Sequence, residues 1–177
     1  MKNKYLFGLL LMTMVIGFGF TSCEKDDGSE GIEFRMRNSD YGGDGISILQ
    51  VDNEFSVNQY RYYVSWWVNL GISESNNFYV RSIVNSNIGY NWPPQDCSIA
   101  CVGNVSNIRR INRISESGWT DVVSVKPGNG YIICHKCEGD SSFCRYARVY
   151  VEDWIEGTSG GIIGAVIRYQ DNWKIED

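Results

Sequence analysis

The sequence has little of what catalytic and nucleic-acid-binding proteins use. It contains one histidine, His135, so a Ser-His-Asp or Cys-His site would have to use that residue. Acidic residues outnumber basic ones by 21 to 16, and the net charge of −5 argues against nucleic acid as a partner. The glycine-rich stretch Gly157–Gly164 lacks the lysine of a phosphate-binding loop and the spacing of a dinucleotide-binding loop. We therefore assign no catalytic residue and predict no cofactor.

Helical periodicity and proline are also scarce. The chain has 3 prolines and 19 glycines, and aromatic residues make up 14% of it. No long stretch beyond the N-terminal segment repeats its apolar residues cleanly every 3.6 positions. Aromatic and β-branched residues favour strands, and glycines favour turns. The composition predicts a mainly β protein, either one antiparallel β-sandwich or a small barrel-like domain, with at most one short helix.

The one long apolar run lies at the N-terminus. It extends from Tyr5 to Phe20 after a basic start, which is short for a membrane span of about 20 residues. Thr21-Ser22-Cys23 follows, and this order resembles a bacterial lipoprotein signal, although Phe20 stands where leucine is usual. The resemblance implies that residues 1–22 are a signal peptide and that Cys23 carries the lipid. The alternative is an ordinary secretory signal cleaved near Ser22.

A short polar tether, residues 23–31, separates Cys23 from the first strand. Its Lys25, Asp26 and Asp27 resemble the export tags of surface lipoproteins in gut Bacteroidota. The resemblance implies an outer-membrane protein anchored by lipid and exposed at the cell surface, so that the membrane is one partner. A solvated linker at the periplasmic face is the alternative. Residues 32–177 are then one β-rich domain.

Period-2 patterns predict the strands. Residues 32–37 alternate apolar and polar side chains. Residues 60–70 carry rings on both faces, with Tyr63 and Trp67 on the same one, a pattern compatible with a strand between two layers. Residues 162–170 form the predicted last strand. Residues 105–114 carry an isoleucine or valine at every third position and are the one predicted helix.

The clearest predicted hairpin joins residues 131–137 to residues 143–151. Pro127-Gly128 before it fits a type II turn, because proline presets the first torsion and glycine tolerates a positive second φ. A turn centred on residues 139–142 places Cys137 opposite Cys144 and His135 opposite Tyr146. Cys134 then lies on the core side.

Several segments in the second half of the chain resemble a group of Bacteroidota lipoproteins of unknown function. The resemblance covers roughly residues 76–170 and implies a β-rich domain on a lipid anchor, but no activity and no functional residue. The cysteines depart from that pattern. The segments are Asn76-Asn77-Phe78, Ser117-Gly118-Trp119, Val125-Lys126-Pro127-Gly128-Asn129-Gly130-Tyr131, Tyr146-Ala147-Arg148-Val149-Tyr150-Val151, Ser159-Gly160-Gly161-Ile162-Ile163-Gly164-Ala165 and Arg168-Tyr169-Gln170.

Five cysteines follow Cys23, an odd number that leaves at least one thiol without an intramolecular partner. Structural disulfides are one interpretation, with Cys137 bonded to Cys144 and Cys97 bonded to Cys101, unless one of the latter reaches Cys134. The alternative is a metal or redox site that uses the CxxC formed by Cys134 and Cys137. Because side chains alternate along a strand, Cys134 and Cys137 would point to opposite faces and could neither bond to each other nor bind one metal ion.

These observations favour a binding or accessory module for a glycan or protein partner. Trp92, beside Pro93 and Pro94 in a polar loop, is the predicted exposed binding residue. A small hydrolase, for which Glu152 and Asp153 are the acidic candidates, and a thiol or metal-binding protein are the alternatives. A flat aromatic surface would favour binding, convergent carboxylates a hydrolase, and clustered sulfur atoms a metal site.

Overall fold

A computed structural model describes residues 30–86, 96–136 and 144–174, except for the side chains of 53, 55, 57 and 86. Within these ranges nine strands form two antiparallel sheets. Sheet A has five strands in the order β1-β9-β8-β7-β5, and sheet B has four in the order β2-β3-β4-β6. The strands are β1 (Ile32–Arg37), β2 (Gly45–Val57), β3 (Tyr60–Ile72), β4 (Asn77–Ser86), β5 (Cys97–Asn104), β6 (Val122–Ser124), β7 (Asn129–Lys136), β8 (Cys144–Glu156) and β9 (Ile162–Trp173).

This arrangement confirms the mainly β prediction. Neither sheet closes on itself, so the fold is the sandwich of the two predicted architectures rather than the barrel. The two short helical pieces are single 3₁₀ turns, Ser39–Tyr41 and Ile108–Arg110.

The main core lies between the two sheets. Alternate residues of most strands point into it and are buried, since successive side chains of a strand point to opposite faces. Phe78 of sheet B meets Tyr131 of sheet A edge to face, with ring centroids 5.1 Å apart. The largest aliphatic members are Met36, Ile48, Leu49, Leu70, Ile72, Ile99 and Ile133.

Tyr131 also fixes the crossing from sheet B to sheet A. Its hydroxyl donates to the Ser124 carbonyl at 2.9 Å and accepts from the Lys126 amide at 2.9 Å. Burial raises the pKa of Tyr131 to about 12. The predicted type II turn follows directly, with Gly128 at φ 80° and the Asn129 amide bonded to the Lys126 carbonyl at 3.1 Å.

The outer face of sheet A is covered by residues 105–119, which we call the cover segment. Of the short helix predicted within residues 105–114, only a single 3₁₀ turn forms, at Ile108–Arg110. Ile108 and Ile111 are instead buried against Ile132 and Trp173 in a second apolar cluster. The apolar residues recur at every third position because they contact the sheet, not because the segment is helical.

The first and last strands pair along the edge of sheet A. Register runs from Ile32 opposite Tyr169 to Arg37 opposite Gly164. The first described strand therefore pairs with a strand that lies more than 120 residues later in the chain.

The β7–β8 hairpin differs from its predicted register by one residue. Lys136 lies opposite Cys144, and Cys134 lies opposite Tyr146. The predicted pairs Cys137 with Cys144 and His135 with Tyr146 are therefore wrong as opposite positions. Ile133 and His135 point between the sheets, so Cys134 points toward the side of the cover segment rather than into the main core.

Candidate functional site

The outer face of sheet B carries a row of three aromatic rings, which we call the aromatic platform: Tyr63 and Trp67 of β3 and Tyr79 of β4. Val68 and Leu70 are buried in the main core, so the odd-numbered residues of β3 point outward. Tyr79 lies between two buried residues of β4 and points outward as well. Tyr63 is 50% exposed, while Trp67 and Tyr79 are partly exposed.

The three rings follow the line of β3. Tyr63, Trp67 and Gly71 are separated by four residues each, a step of about 13 Å along a strand. Gly71 lies opposite Tyr79, and a Cβ atom added at Gly71 would be 2.4 Å from the Tyr79 ring. The Tyr79 ring therefore occupies the space above Gly71 and extends the row. The guanidinium carbon of Arg81 lies 5.2 Å from the centroid of that ring, within cation-π range.

Polar side chains flank the rings. Asn69 lies opposite Arg81, and Asp52 lies opposite Ser65. Hydrogen bonds from the side chains of Ser65 and Gln50 lower the pKa of Asp52. The Gln50 Nε2 atom lies 3.2 Å from the Asp52 carboxylate. The platform thus combines flat apolar rings with amide, hydroxyl and carboxylate groups on one face.

The outer face of sheet A is different because the cover segment lies on it. Arg148 of β8 is only 8% exposed beneath the segment and donates to the Ile111 carbonyl at 2.8 Å. It also donates to the Gln170 side chain at 2.7 Å and lies over the Trp173 ring at 5.3 Å. Arg148 of β8 therefore connects the cover segment to β9 by charge-assisted contacts.

A polar cleft opens at the edge of the cover segment, with a volume of about 420 Å³. Arg168 extends into it and pairs with Glu152 at 2.5 Å and with Glu33 at 3.1 Å. Arg109 of the segment lies 3.6 Å from Glu30. The Glu152 hydrogen bond is the main cause that raises the pKa of Arg168. Tyr150, Ser106, Asn107 and Ile108 complete the lining.

The two acidic candidates for hydrolysis do not face one another across this cleft. Glu152 is bonded to Arg168, whereas the Asp153 carboxylate accepts from the amide of Trp154 at 2.8 Å. Two-carboxylate glycoside hydrolysis needs both groups on either side of one sugar linkage. The cleft is therefore better described as a set of ion pairs than as an acid and a base.

The sole histidine lies inside the main core. His135 is fully buried beside Leu49, without a well-formed hydrogen bond to either ring nitrogen. Burial lowers its pKa. Cys97 lies directly opposite it, but burial raises the pKa of that thiol, the reverse of what a cysteine nucleophile needs. The pair is a packing contact.

The predicted Cys97–Cys101 disulfide is not formed, and both residues are free thiols in the structure. Both belong to β5, where a separation of four residues amounts to about 13 Å, and a disulfide requires Cα atoms within about 7 Å. Cys134 is out of reach for Cys97 as well, because it is opposite Ser98 and faces the other side of the sheet. Within the described ranges no three metal-binding side chains of the His, Cys, Asp or Glu types come together.

Several predicted site residues lie outside the described residues. These are the lipidation site Cys23, the tag residues Lys25, Asp26 and Asp27, the predicted binding residue Trp92, and Cys137. The predictions that concern them, including the Cys137–Cys144 disulfide and the Cys134–Cys137 alternative, stay predictions.

Two features of the site escaped the sequence analysis. Tyr79 could have been predicted from the alternation of buried and outward side chains in β4, because the residues on either side of it, Phe78 and Val80, are buried. Arg148 gave no such signal, because an arginine within an alternating strand predicts an exposed side chain rather than one beneath a covering segment.

No family model, curated protein or solved structure matches the chain. None of the helical segments in residues 30–86, 96–136 and 144–174 is long and apolar enough to span a membrane.

Proposed function

We propose that this chain is a lipid-anchored binding module of the outer membrane, displayed at the cell surface, and that its aromatic platform binds glycan chains. The observation that carries the proposal is the row of Tyr63, Trp67 and Tyr79 on one face of sheet B. Exposed apolar surface with a polar border is typical of interaction sites. No arrangement of nucleophile and base accompanies the rings among the described residues, which favours binding over catalysis.

A glycan fits this surface better than a protein partner does. Sugar rings present C–H groups on their faces and hydroxyl groups at their edges, so they stack on aromatic rings and bond to amides and carboxylates alongside. Asn69 and Asp52 supply such groups next to the platform. The spacing of about 13 Å between successive rings suits a polymer of several sugars rather than one sugar.

Affinity electrophoresis of the purified full chain tests the proposal. The gels contain single soluble polysaccharides: a β-glucan, a xylan, a mannan, a pectin and a mucin glycan preparation. We expect at least one of them to retard the chain. Trp67→Ala and Tyr79→Ala each remove one stacking ring and should weaken binding about tenfold, since an aromatic contact contributes roughly 1–1.5 kcal/mol.

Tyr41→Ala is the matched control. Tyr41 is 46% exposed and lies on the 3₁₀ turn between β1 and β2, outside the strands β3 and β4 that carry the platform. Retention of binding in Tyr41→Ala and its loss in Trp67→Ala support the platform as the site. If no polysaccharide retards the chain, or if the three variants behave alike, the glycan proposal fails and a protein partner becomes the better candidate.

The anchor is tested separately. Cys23→Ala should abolish uptake of labelled fatty acid and leave an unprocessed precursor, because the lipidated thiol is missing. Replacement of Lys25, Asp26 and Asp27 by alanine should change the protein from protease-accessible on intact cells to protected. Equal fatty-acid labelling of Cys23→Ala and wild type would contradict the anchor, and equal protease accessibility would contradict the tag.

A further inference from the structure

Two cysteines of the β7–β8 hairpin lie on the same face of adjacent strands. Cys134 is opposite Tyr146, and Cys144 is opposite Lys136. Because side chains alternate along a strand, Cys134, Lys136, Cys144 and Tyr146 all point to the side that carries the cover segment. Cys134 and Cys144 are therefore diagonal neighbours across the hairpin.

The two thiols are close enough to interact. Diagonal neighbours in antiparallel sheets are ordinarily about 7–8 Å apart, and the right-handed twist shortens one of the two diagonals. The side chains of Cys134 and Cys144 interact with each other, and the Tyr146 side chain interacts with both. A disulfide between diagonal neighbours requires Cα atoms within about 7 Å, so a side-chain rotation and a small strand adjustment would bring the two sulfur atoms together.

We infer that Cys134 and Cys144 form a redox pair that closes to a disulfide, and that Cys134 rather than Cys137 is the bonding partner of Cys144. The inference is independent of the proposed glycan binding. It concerns a covalent link across the hairpin that lies beside the cover segment.

The reaction is thiol–disulfide exchange with a disulfide oxidant such as oxidised glutathione. The Cys144 sulfur, as thiolate, attacks one glutathione sulfur, and the second glutathione leaves as a thiol. The Cys134 sulfur then attacks Cys144 and releases the first glutathione. One protein S–S bond forms, one glutathione S–S bond breaks, and the two protons and two electrons of the protein thiols pass to the two glutathione molecules.

Burial controls the rate of the second attack. Cys134 is 3% exposed, and burial is the main cause that raises its pKa to about 12. The thiolate of Cys134 is therefore scarce in the folded chain at neutral pH. Closure should accelerate as the pH rises and should be faster during refolding, when the hairpin is open. Once formed, the same burial protects the bond from reductants.

Peptide mapping of the full chain, purified in detergent and treated with oxidised glutathione at pH 8.5, tests the inference. Remaining thiols are blocked with N-ethylmaleimide, and the chain is cut with trypsin and Glu-C. Glu-C cuts after Glu138 and so separates Cys137 from Cys144. We expect residues 117–136 to be joined to residues 139–145, together with a rise in melting temperature of roughly 3–8 °C. A second sample is oxidised during refolding from urea.

Matched variants distinguish the cysteines. Cys137→Ser should keep the link and the rise in melting temperature, whereas Cys144→Ser and Cys134→Ala should lose both. A link between residues 137–138 and 139–145 in the wild type would overturn the inference in favour of Cys137. Complete labelling of Cys134 and Cys144 by N-ethylmaleimide after oxidation of both the folded and the refolding sample would overturn it as well.

Discussion

The two outer faces of this sandwich differ in what lies on them. On sheet A the chain covers its own outer face with residues 105–119, which bury Ile108 and Ile111 against the strands. On sheet B the outward rings of Tyr63 and Trp67 are reached by solvent. Both faces are built by the same alternation of side chains. The difference shows that an outward aromatic or aliphatic residue is structural where a loop is available to cover it and is a candidate for binding where none of the described residues does so.

The largest expected difference is in the stability cost of replacing two arginines, one on each outer face. Arg148→Ala should lower the free energy of unfolding by about 3–4 kcal/mol, because it leaves the Ile111 carbonyl and the Gln170 side chain without their donor and removes packing on Trp173. Arg81→Ala on the platform loses one exposed cation-π contact and should cost less than about 1 kcal/mol. Urea unfolding measures both. Equal costs would mean that the cover segment is no more structural than the open face.

A smaller difference is expected between two isoleucines. Ile111→Ala removes a side chain that is 1% exposed and should cost about 2–3 kcal/mol through lost burial and a cavity. Ile83→Ala, at 36% exposure opposite Trp67 on the outer face of sheet B, should cost less than about 1 kcal/mol. Thermal unfolding followed by tryptophan fluorescence compares them. A mild Ile111→Ala would indicate that the segment lies loosely on sheet A.

The smallest expected effect is a pH dependence of the stability, caused by His135 in the core between the two sheets. The folded-state pKa of His135 lies below the unfolded value of about 6.5, because burial disfavours the charged ring. Above pH 6.5 the ring is neutral in both the folded and the unfolded state, so protonation of His135 does not lower the free energy of unfolding there. As the pH falls below 6.5 the unfolded chain binds the proton first, so stability declines.

Melting temperatures at pH 7.5 and pH 5.5 check this expectation. His135 faces Cys97 on one neighbouring strand and Arg145 on the other, and Arg145 adds to the lowering of its pKa. His135→Gln, which is neutral throughout, should reduce the decline between the two pH values. An unchanged decline in that variant would assign it to carboxylates instead.

The sequence was sufficient to predict those strands and turns whose residue pattern is compatible with only one structure. Residues 32–37 alternate between one wet and one dry face and form β1 with the predicted bounds, and Pro127-Gly128 forms the predicted turn. The two faces of β3 were also predicted correctly, which placed Tyr63 and Trp67 together. They were interpreted as lying between two layers, since sequence does not show which face a second sheet covers.

The errors occur where both faces of an element are buried. Six consecutive residues of β7, from Gly130 to His135, are buried between sheet B on one side and the cover segment on the other. Alternation therefore could not distinguish one register from the next, and the predicted register is wrong by one residue. The isoleucines of the cover segment recur at every third residue because they contact the outer surface of sheet A, and this spacing resembles a helical repeat. Tertiary contact, rather than local preference, decides both.

The pairing of β1 with β9 has a consequence for how the chain acquires its fold over time. Residues 32–37 are made long before residues 164–169, with which they pair. Until then β1 has no partner in sheet A, and its edge is open to wrong pairings. Such distant contacts close slowly, because a long stretch of chain must be ordered before they form. Loss of β9 would therefore leave β1 without a neighbouring strand, and the chain should become protease-resistant only when residues 162–173 are available for pairing.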